Sequence, residues 1–254
     1  MTPLLEIRHL RKRFGGLAVT DDVSLSVAPG ARTALIGPNG AGKTTLINLV
    51  TGLIPPDGGS VHLGGREITR EKPVTRVAEG LVRTFQVTRL FAEMSPADHV
   101  ALAILQRSGR SRRLFGSYRR MPDVVEEAHH HLSRLGLAEV ADRPVAEIAY
   151  GKQRLLELAI ALSLRPKVLL LDEPGAGVPQ DETGLIEAAI AALPKDLAVL
   201  MIDHDMDLVF RFASEVVVLA NGRVIFAGPP SAVAADSAVR EAYLGNYADA
   251  GRAA

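Results

Sequence analysis

The chain has 254 residues and a formal net charge of zero at pH 7, from 29 Lys and Arg against 29 Asp and Glu. A hydrophobic fraction of 47% excludes a disordered chain, and the neutral balance argues against a protein that mainly coats phosphate backbones. Seven Phe, four Tyr and no Trp are too few for a base-stacking platform, and the lack of Cys excludes disulfides and thiolate zinc sites.

The first quarter of the chain predicts short strands separated by turns, at residues 4–10, 23–27, 32–36 and 60–63. Residues 23–27 alternate Val and Leu with Ser, which is the period of a half-buried strand. From Leu46 the apolar residues recur at helical spacing, and residues 96–164 are predicted to be mainly helical.

The second half of the chain alternates strands and helices over residues 167–227, the pattern of a parallel sheet covered by helices. Asn221-Gly222 predicts a two-residue hairpin between strands at 215–220 and 223–227. The predicted fold class is therefore α/β, in one domain over residues 1–254 with a helical subdomain inserted at about 91–151.

No targeting or membrane-spanning segment is predicted. The first residues carry charges where a signal peptide needs a continuous apolar region. The longest apolar runs, such as residues 197–202, are far shorter than the roughly 20 residues that cross a bilayer. We expect a soluble chain, or one that reaches a membrane only through a partner, and the lack of Cys fits the cytoplasm.

A phosphate-binding loop is predicted at residues 37–44, which read GPNGAGKT and satisfy the pattern G-x-x-x-x-G-K-[ST]. An apolar strand precedes this loop and a helical pattern follows it, so that loop amides and the helix N-terminus can face phosphate oxygens. Lys43 would reach the β- and γ-phosphates of a nucleotide, and Thr44 would ligate Mg²⁺. The predicted nucleotide-binding residues here are Gly37, Pro38, Asn39, Gly40, Ala41, Gly42, Lys43, Thr44 and Thr45.

Two further strands are predicted to deliver charged side chains to the same sheet edge. The apolar run 168–171 ends in Asp172 and Glu173, and the run 197–202 ends in Asp203 and His204. Buried carboxylates need a cationic partner, which Mg²⁺ supplies. Asp172 is expected to hold this metal and Glu173 to orient and deprotonate the attacking water.

Residues 148–154, IAYGKQR, precede a helix and then the acidic strand, while Gln86 lies in RTFQ and Phe14 lies upstream of the phosphate loop. Together with that loop, these segments resemble the ATP-binding cassette of ABC transporters over nearly the whole chain. The tail AYLGNY, the sequence IDHDM and the loop DEPGAG resemble one subfamily, the ATPases of branched-chain amino acid importers and of their relatives for urea, short amides or aromatic acids.

The resemblance implies a role for each matching residue. Phe14 would stack on adenine, Gln86 would sense Mg²⁺ and the attacking water, and His204 would contact the γ-phosphate. Residues 148–152 occupy the position of the family's Leu-Ser-Gly-Gly-Gln signature. In that family two cassettes close head to tail, and the signature of one completes the ATP site of the other; the implied contacts come from Ala149, Tyr150, Gly151 and Lys152.

The signature departs from the family's usual residues. Ala149 lacks the Ser hydroxyl, Tyr150 replaces a Gly and Lys152 replaces the Gln. The missing hydroxyl removes one hydrogen bond, worth about 0.5–1.5 kcal/mol. The amide of Gly151 remains as an anion donor, so we expect weaker dimer clamping but a working site. The loop after Glu173, which crosses the dimer seam in the family, also departs mildly, at Val178-Pro179.

The resemblance implies an ATP- and Mg²⁺-dependent importer subunit on the cytoplasmic face of the membrane. Its implied partners are permease subunits, a second cassette of the same or a related chain, and a separate solute-binding protein, with no direct contact to nucleic acid. The alternatives are a lipid or lipopolysaccharide export ATPase and a soluble ABC ATPase of DNA repair or translation. A single cassette without sustained heptads counts against the latter, and the altered signature counts against the former.

Two further patterns, a group of arginines and three consecutive histidines, are interpreted as surface features rather than as binding sites. Six Arg and no acid lie between Asp98 and Asp123, and we favour a solvated loop over a nucleic-acid or lipid-headgroup patch. His129, His130 and His131 are consecutive, and consecutive helical residues point about 100° apart and cannot converge on one ion. We expect them at the surface and at the edge of the core.

Overall fold

The structure, a computed structural model, describes residues 2–84, 90–111 and 117–242. The strands and α-helices of this part of the chain are, in chain order, β1 (Leu5–Phe14), β2 (Leu17–Val27), β3 (Arg32–Ile36), α1 (Lys43–Thr51), β4 (Gly58–Leu63), β5 (Arg66–Glu67), α2 (Pro73–Ala78), β6 (Leu81–Arg83), α3 (Pro96–Arg107), α4 (Pro122–Arg134), α5 (Tyr150–Ser163), β7 (Val168–Asp172), α6 (Thr183–Ala191), β8 (Ala198–Ile202), α7 (Met206–Phe212), β9 (Glu215–Ala220), β10 (Arg223–Gly228) and α8 (Pro230–Val233).

The chain divides into two compact units. The first comprises Met1–Leu81, Lys167–Glu173 and Pro194–Ala254, and the second comprises Val82–Pro166 and Pro174–Leu193. The second unit therefore contains the predicted helical insertion at 91–151 and continues beyond it at both ends. No helix in the part of the chain that the structure describes has the length and apolar character needed to cross a membrane.

An antiparallel sheet of order β2-β1-β4-β5 lies at the beginning of the first unit. It confirms the strands predicted at 4–10, 23–27 and 60–63, but β1 and β2 are longer than predicted and meet in a hairpin at Gly15-Gly16. The sequence did not predict the longer β1 because residues 11–13 are all charged and break the apolar pattern. In the structure their side chains form ion pairs and hydrogen bonds.

A six-stranded sheet of order β10-β9-β3-β8-β7-β6 carries the predicted parallel core. Strand β3 pairs in parallel with β8 and β9, β7 pairs in parallel with β8, and β10 returns antiparallel to β9. Strands β7 and β8 are buried at every residue, as expected for strands covered on both faces. The hairpin at Asn221-Gly222 is confirmed, with both residues at positive φ.

A buried arginine closes the C-terminal end of α1. Arg76 of α2 is 2% exposed, and its guanidinium donates to the carbonyls of Leu49 at 2.9 Å and Val50 at 2.5 Å. It also donates to the carbonyls of Thr69 and Glu71. A cation there complements the partial negative charge of the helix end. The helix ends at Gly52, whose φ of 77° lies in the left-handed region that glycine adopts without strain.

The second unit is mainly helical, as predicted for 96–164. Its α3 begins with a capping box in which Ser95 and Asp98 exchange side-chain and backbone hydrogen bonds. His131 is half-buried on α4, and His129 and His130 are exposed. Among the described residues, no group of three or more His, Asp or Glu side chains is placed to hold a metal ion.

The predicted solvated arginine loop is only partly correct. Arg107 lies on α3 and is half-buried, where it donates to both carboxylate oxygens of Glu127 and to the Ser163 carbonyl. Arg110 pairs with Asp123, and Arg119 pairs with Asp98. Long-range acidic partners therefore neutralise the charges of these three arginines, which a count along the sequence does not reveal. Arg112 and Arg113 lie outside the described residues, and Arg120 is exposed.

Candidate nucleotide-binding site

The predicted phosphate loop connects β3 to α1. The strand ends at Ile36, the loop covers 37–42, and the helix begins at Lys43. Ala41 is buried, whereas Asn39, Gly40 and Thr44 are exposed, so the loop presents its backbone to solvent at the helix N-terminus. Strand, loop and helix thus have the order that phosphate binding by backbone amides requires.

Gly42 is the N-cap residue of α1 and takes a φ of 101°. A Cβ atom built on Gly42 would lie 2.5 Å from the carbonyl oxygen of Val19 on β2. Backbone conformation and close approach both require glycine here. Strand β2 therefore fixes where the helix begins.

Lys43 folds back onto the loop. Its Nζ donates to the carbonyl of Gly37 at 2.7 Å and to that of Pro38 at 3.0 Å. Burial lowers the pKa of Lys43, and the nearby Glu173 carboxylate acts in the opposite direction. Thr44 and Thr45 occupy the first turn of α1 beside it. The ammonium group is thus held at the loop by two neutral acceptors, which a phosphate group can replace.

The acidic pair lies at the end of β7. Asp172 is the last residue of the strand, is 4% exposed and stands in register with Ile202 of β8. Glu173 follows at a φ of 46°, which is uncommon for a residue with a side chain, and its N–H donates to the Ile202 carbonyl at 2.8 Å. Parallel pairing therefore brings the ends of β7 and β8 to one edge, as predicted.

His204 follows β8 at this edge. Its Nδ1 lies 3.9 Å from Oε1 of Glu173, and its side chain is 74% exposed. The preceding residue, Asp203, is buried and accepts hydrogen bonds from the N–H groups of His204 at 2.7 Å and Asp205 at 3.0 Å. Burial raises the pKa of Asp203, against the effect of these two hydrogen bonds. The structure thus brings together Glu173 and His204, and adds Asp203 as a residue that fixes the histidine backbone.

Phe14 is the last residue of β1 and its side chain is 48% exposed. The Nζ of Lys12 lies 5.6 Å from the centre of its ring. Asp57 holds this end of the strand, because it accepts hydrogen bonds from Lys12 Nζ at 2.8 Å and from the Arg13 N–H at 2.7 Å. The ring of Phe14 is therefore half-exposed on a strand end that Asp57 holds, and its stacking on adenine stays a prediction.

The predicted signature lies in the second unit, at the beginning of α5. Ala149 is the N-cap residue and Tyr150 is the first helical residue. Gly151 is buried and its N–H donates to Oε2 of Glu182 at 2.7 Å, so this amide is already engaged. Lys152 is half-buried. The signature therefore begins a helix, but its expected anion donor has a carboxylate partner within the same chain.

One predicted site residue lies outside the described part of the chain, and the sequence alone assigned no role to two others. Gln86 lies outside the described residues, so its role stays a prediction. The sequence does not predict the contact of Glu182, because this residue lies 31 positions from Gly151, and it places Asp203 at the strand end without assigning it a role. The short pattern Asp-His-Asp at a strand end, typical of side chains that accept from nearby backbone amides, could have identified Asp203.

A family model described as ABC transporter matches residues 20–176, which is more than half of the chain. The chain belongs to the ABC transporter family. A second model, described as branched-chain amino acid ATP-binding cassette transporter, matches residues 223–249 of this ABC ATPase.

Two curated relatives resemble the ABC ATPase over nearly their full length. The high-affinity branched-chain amino acid transport ATP-binding protein BraF of Pseudomonas aeruginosa is 40% identical over 252 residues, covering 96% of this chain and 98% of BraF. The protein LivG of Escherichia coli K12, with the same description, is 37% identical over 253 residues, covering 96% of this chain and 98% of LivG.

Solved structures confirm the P-loop ABC fold. The ADP conformation of MJ1267, an ATP-binding cassette of an ABC transporter, superposes with a TM-score of 0.83 at 32% identity, covering 96% of this chain and 100% of that one. A nucleotide-free cassette gives the same TM-score at 31% identity, covering 95% and 99%. The ABC ATPase therefore has the predicted fold and the ATP-hydrolysing activity of its family.

Proposed function

We propose that this ABC ATPase powers an importer for branched-chain amino acids or for related amides and urea. The structural observation that supports its ATPase role is the order of β3, β8 and β7 in one parallel sheet, since the phosphate loop, His204 and Glu173 follow these strands. BraF and LivG, both described as branched-chain amino acid transport proteins, support the substrate class.

Nucleotide binding begins at the phosphate loop. The loop of residues 37–42 surrounds the phosphates and offers the backbone N–H groups of Gly37, Asn39, Gly40, Ala41 and Gly42, whereas Pro38 has none and shapes the loop. Lys43 exchanges its two carbonyl acceptors for phosphate oxygens. Phe14 stacks on the adenine through its exposed face. Thr45, in the first turn of α1, adds a second hydroxyl beside the phosphates.

The donor set also fits Mg²⁺. The Thr44 hydroxyl lies at the exposed helix start, and the Asp172 carboxylate is buried at the strand end, so both offer the hard oxygen ligands that this ion prefers. Gln86 would join them by resemblance to the family. Bound Mg²⁺ would offset the negative charge of the phosphate oxygens.

Hydrolysis depends on Glu173 and His204, the residues that follow β7 and β8. Glu173 orients a water molecule for attack and accepts its proton, and the hydrogen bond from its N–H to Ile202 holds its backbone at the strand end. His204 lies 3.9 Å from Glu173 and contacts the γ-phosphate. Asp203 holds the histidine backbone in place through the His204 N–H.

The work of transport comes from dimer closure. Two cassettes close head to tail around ATP, and Ala149, Tyr150, Gly151 and Lys152 of one face the γ-phosphate bound to the other. Closure moves permease subunits at the cytoplasmic face of the membrane, and a separate solute-binding protein delivers the substrate. Hydrolysis removes the γ-phosphate that bridges the chains, so the dimer reopens.

The test is a capture experiment joined to an uptake assay. The tagged chain is purified from detergent-solubilised native membranes, and its partners are identified by mass spectrometry. We expect polytopic permease subunits, with or without a second cassette. Recovery of ribosomes or DNA without permease subunits would overturn the importer assignment.

Uptake identifies the substrate. A strain lacking this chain should lose uptake of labelled leucine, isoleucine and valine, or of labelled urea and short amides. The wild-type chain should restore that uptake, and Glu173→Gln should not. Normal uptake of all these compounds in the deleted strain would contradict the proposed substrate class.

A further inference from the structure

The first turn of α5 holds a carboxylate of its own chain. Glu182 Oε2 accepts the N–H of Gly151 at 2.7 Å, in a partly buried position. A Cβ atom on Gly151 would collide with the same oxygen, so the carboxylate lies directly against the helix start. It occupies the place that an anion bound to this amide would take.

A turn presents Glu182 to the helix. The N–H groups of Glu182 and Thr183 both donate to the Pro179 carbonyl, at 2.9 Å and 3.1 Å. Glu182 is also the last residue before α6, which begins at Thr183. The position of its side chain is therefore set by a short turn rather than by a long flexible segment.

The loop that precedes Glu182 is hydrogen-bonded to one side chain of α5 and lies beside another. Arg154 donates to the Ala176 carbonyl at 3.0 Å, and its guanidinium lies 5.3 Å from the centre of the Tyr150 ring. A Cβ atom on Gly177 would lie 3.4 Å from the Tyr150 hydroxyl oxygen, so this ring is beside the loop. Tyr150, which stands where the family's signature has a glycine, thus lies beside the loop that precedes Glu182.

Electrostatics favour the carboxylate at this position. A negative group at the N-terminus of the 14-residue helix α5 interacts favourably with its dipole, and its hydrogen bond from a backbone N–H is charge-assisted. A phosphate oxygen would be favoured there for the same reasons. The two anions cannot accept the same N–H together, because they would overlap and repel each other.

We propose that Glu182 sets the affinity of this signature for ATP by competing with the γ-phosphate for the Gly151 amide. In the separate chain the carboxylate holds the amide, and it leaves when ATP bound to a second cassette arrives. The inference rests on the proposed head-to-tail dimer. It makes Glu182 a residue of the γ-phosphate subsite that acts against closure until nucleotide is present.

The test measures dimerisation as a function of ATP concentration in the Glu173→Gln background, by light scattering. The second cassette is co-expressed where the membrane capture identifies one. Adding Glu182→Gln, which keeps an acceptor but removes the charge, should lower the ATP concentration for half-maximal dimerisation about threefold to tenfold. Glu182→Ala should lower it at least as much. Glu139→Gln makes the same charge change at an exposed position of the same unit and should have no effect.

A second measurement separates competition from a structural role. The affinity of the monomer for a fluorescent ATP analogue, measured at low protein concentration, should be unchanged by Glu182→Gln, because the amide of Gly151 acts only on nucleotide bound elsewhere. Circular dichroism and melting temperature confirm that the variant is folded. An unchanged or higher ATP requirement in folded Glu182→Gln would overturn the inference.

The two proposals fail in different ways. If the Glu173→Gln parent binds ATP but never dimerises at saturating ATP, the proposed closure is wrong and the inference about Glu182 is overturned with it. If the parent dimerises and the Glu182 variants behave like the parent, only the inference is overturned.

Discussion

The backbone N–H of Glu173 donates to the carbonyl of Ile202 at 2.8 Å, which fixes the residue after β7 to the last residue of β8. In this position Glu173 adopts a φ of 46°, which is uncommon for a residue with a side chain. Strained backbone of this kind persists only where the surrounding structure imposes it. The hydrogen bond between the two strand ends therefore holds the backbone of Glu173 next to the segment that carries His204.

Replacement of Glu173 by Gln should reduce ATP hydrolysis by roughly 10²–10⁴, because the amide cannot accept a proton from water. Binding of ATP should be retained, so the variant should accumulate with ATP bound. Steady-state phosphate release and filter binding of labelled ATP measure the two effects. Glu67→Gln, at an exposed position of β5, serves as the control and should hydrolyse ATP normally. Turnover of Glu173→Gln at the wild-type rate would refute the role of this residue.

Replacement of Lys43 by Ala should weaken ATP binding at least roughly a hundredfold, because the phosphates lose a charge-assisted contact at the loop. Equilibrium titration with a fluorescent nucleotide gives the dissociation constant. Lys72→Ala removes the same charge from an exposed position of the same unit and should leave the constant unchanged. Normal affinity in Lys43→Ala would contradict the assignment of the phosphate loop.

Replacement of Arg76 by Ala should lower the free energy of unfolding by at least about 3 kcal/mol, since it leaves several buried carbonyls without a donor. Arg76→Lys keeps the charge and should cost less. Urea denaturation measures both. The control is Arg70→Ala, at an exposed position before α2, which should change stability by less than about 0.5 kcal/mol. Equal stability of Arg76→Ala and Arg70→Ala would show that the buried hydrogen bonds contribute nothing.

Acid stability should depend on Glu127. Hydrogen bonds from Arg107, followed by those from Arg165, lower the pKa of Glu127 to about 2, against the effect of burial. A carboxylate whose folded pKa lies below its unfolded pKa stabilises the fold above the unfolded value and loses that effect as pH falls toward the folded one. The melting temperature should therefore fall between pH 5 and pH 2, and Glu127→Gln should reduce this fall while lowering stability at pH 7 by about 1–2 kcal/mol.

Glu126→Gln is the matched control for this pH experiment, because its side chain is exposed on the same helix. It should leave the pH profile unchanged. Asp98, whose pKa is also about 2, will keep part of the acid dependence in Glu127→Gln, so a smaller slope rather than a flat profile is expected. A profile identical to that of the wild type would show that the ion pairs of Glu127 do not affect folding.

The local patterns of the sequence predicted most of the fold. Alternation over residues 23–27 predicted part of β2, continuous apolar runs predicted β7 and β8, and Asn221-Gly222 predicted the hairpin of β9 and β10. These features are local, because each depends on a few adjacent residues and on the period of one element. The alternation of strands and helices over residues 167–227 predicted a parallel sheet, but not which residues stand opposite each other.

The contacts that the sequence did not predict join distant positions. Glu182 reaches Gly151 across 31 positions, and Arg107 reaches Glu127 across 20. Arg76 gave no signal either, because a charged residue on a six-residue helix would ordinarily be assigned to the surface. Only the folded chain shows that the Arg76 guanidinium donates to two carbonyl groups in the last turn of α1.

Arg76 and Gly52 also limit how this cassette can be recombined with its relatives. A Cβ atom on Gly52 would lie 2.7 Å from Nε of Arg76, so any side chain at position 52 would displace the guanidinium. A chimera that exchanges the phosphate loop and α1 must therefore combine a glycine at position 52 with the arginine at position 76. A crossover placed between these positions preserves the packing only when it brings those two residue types together.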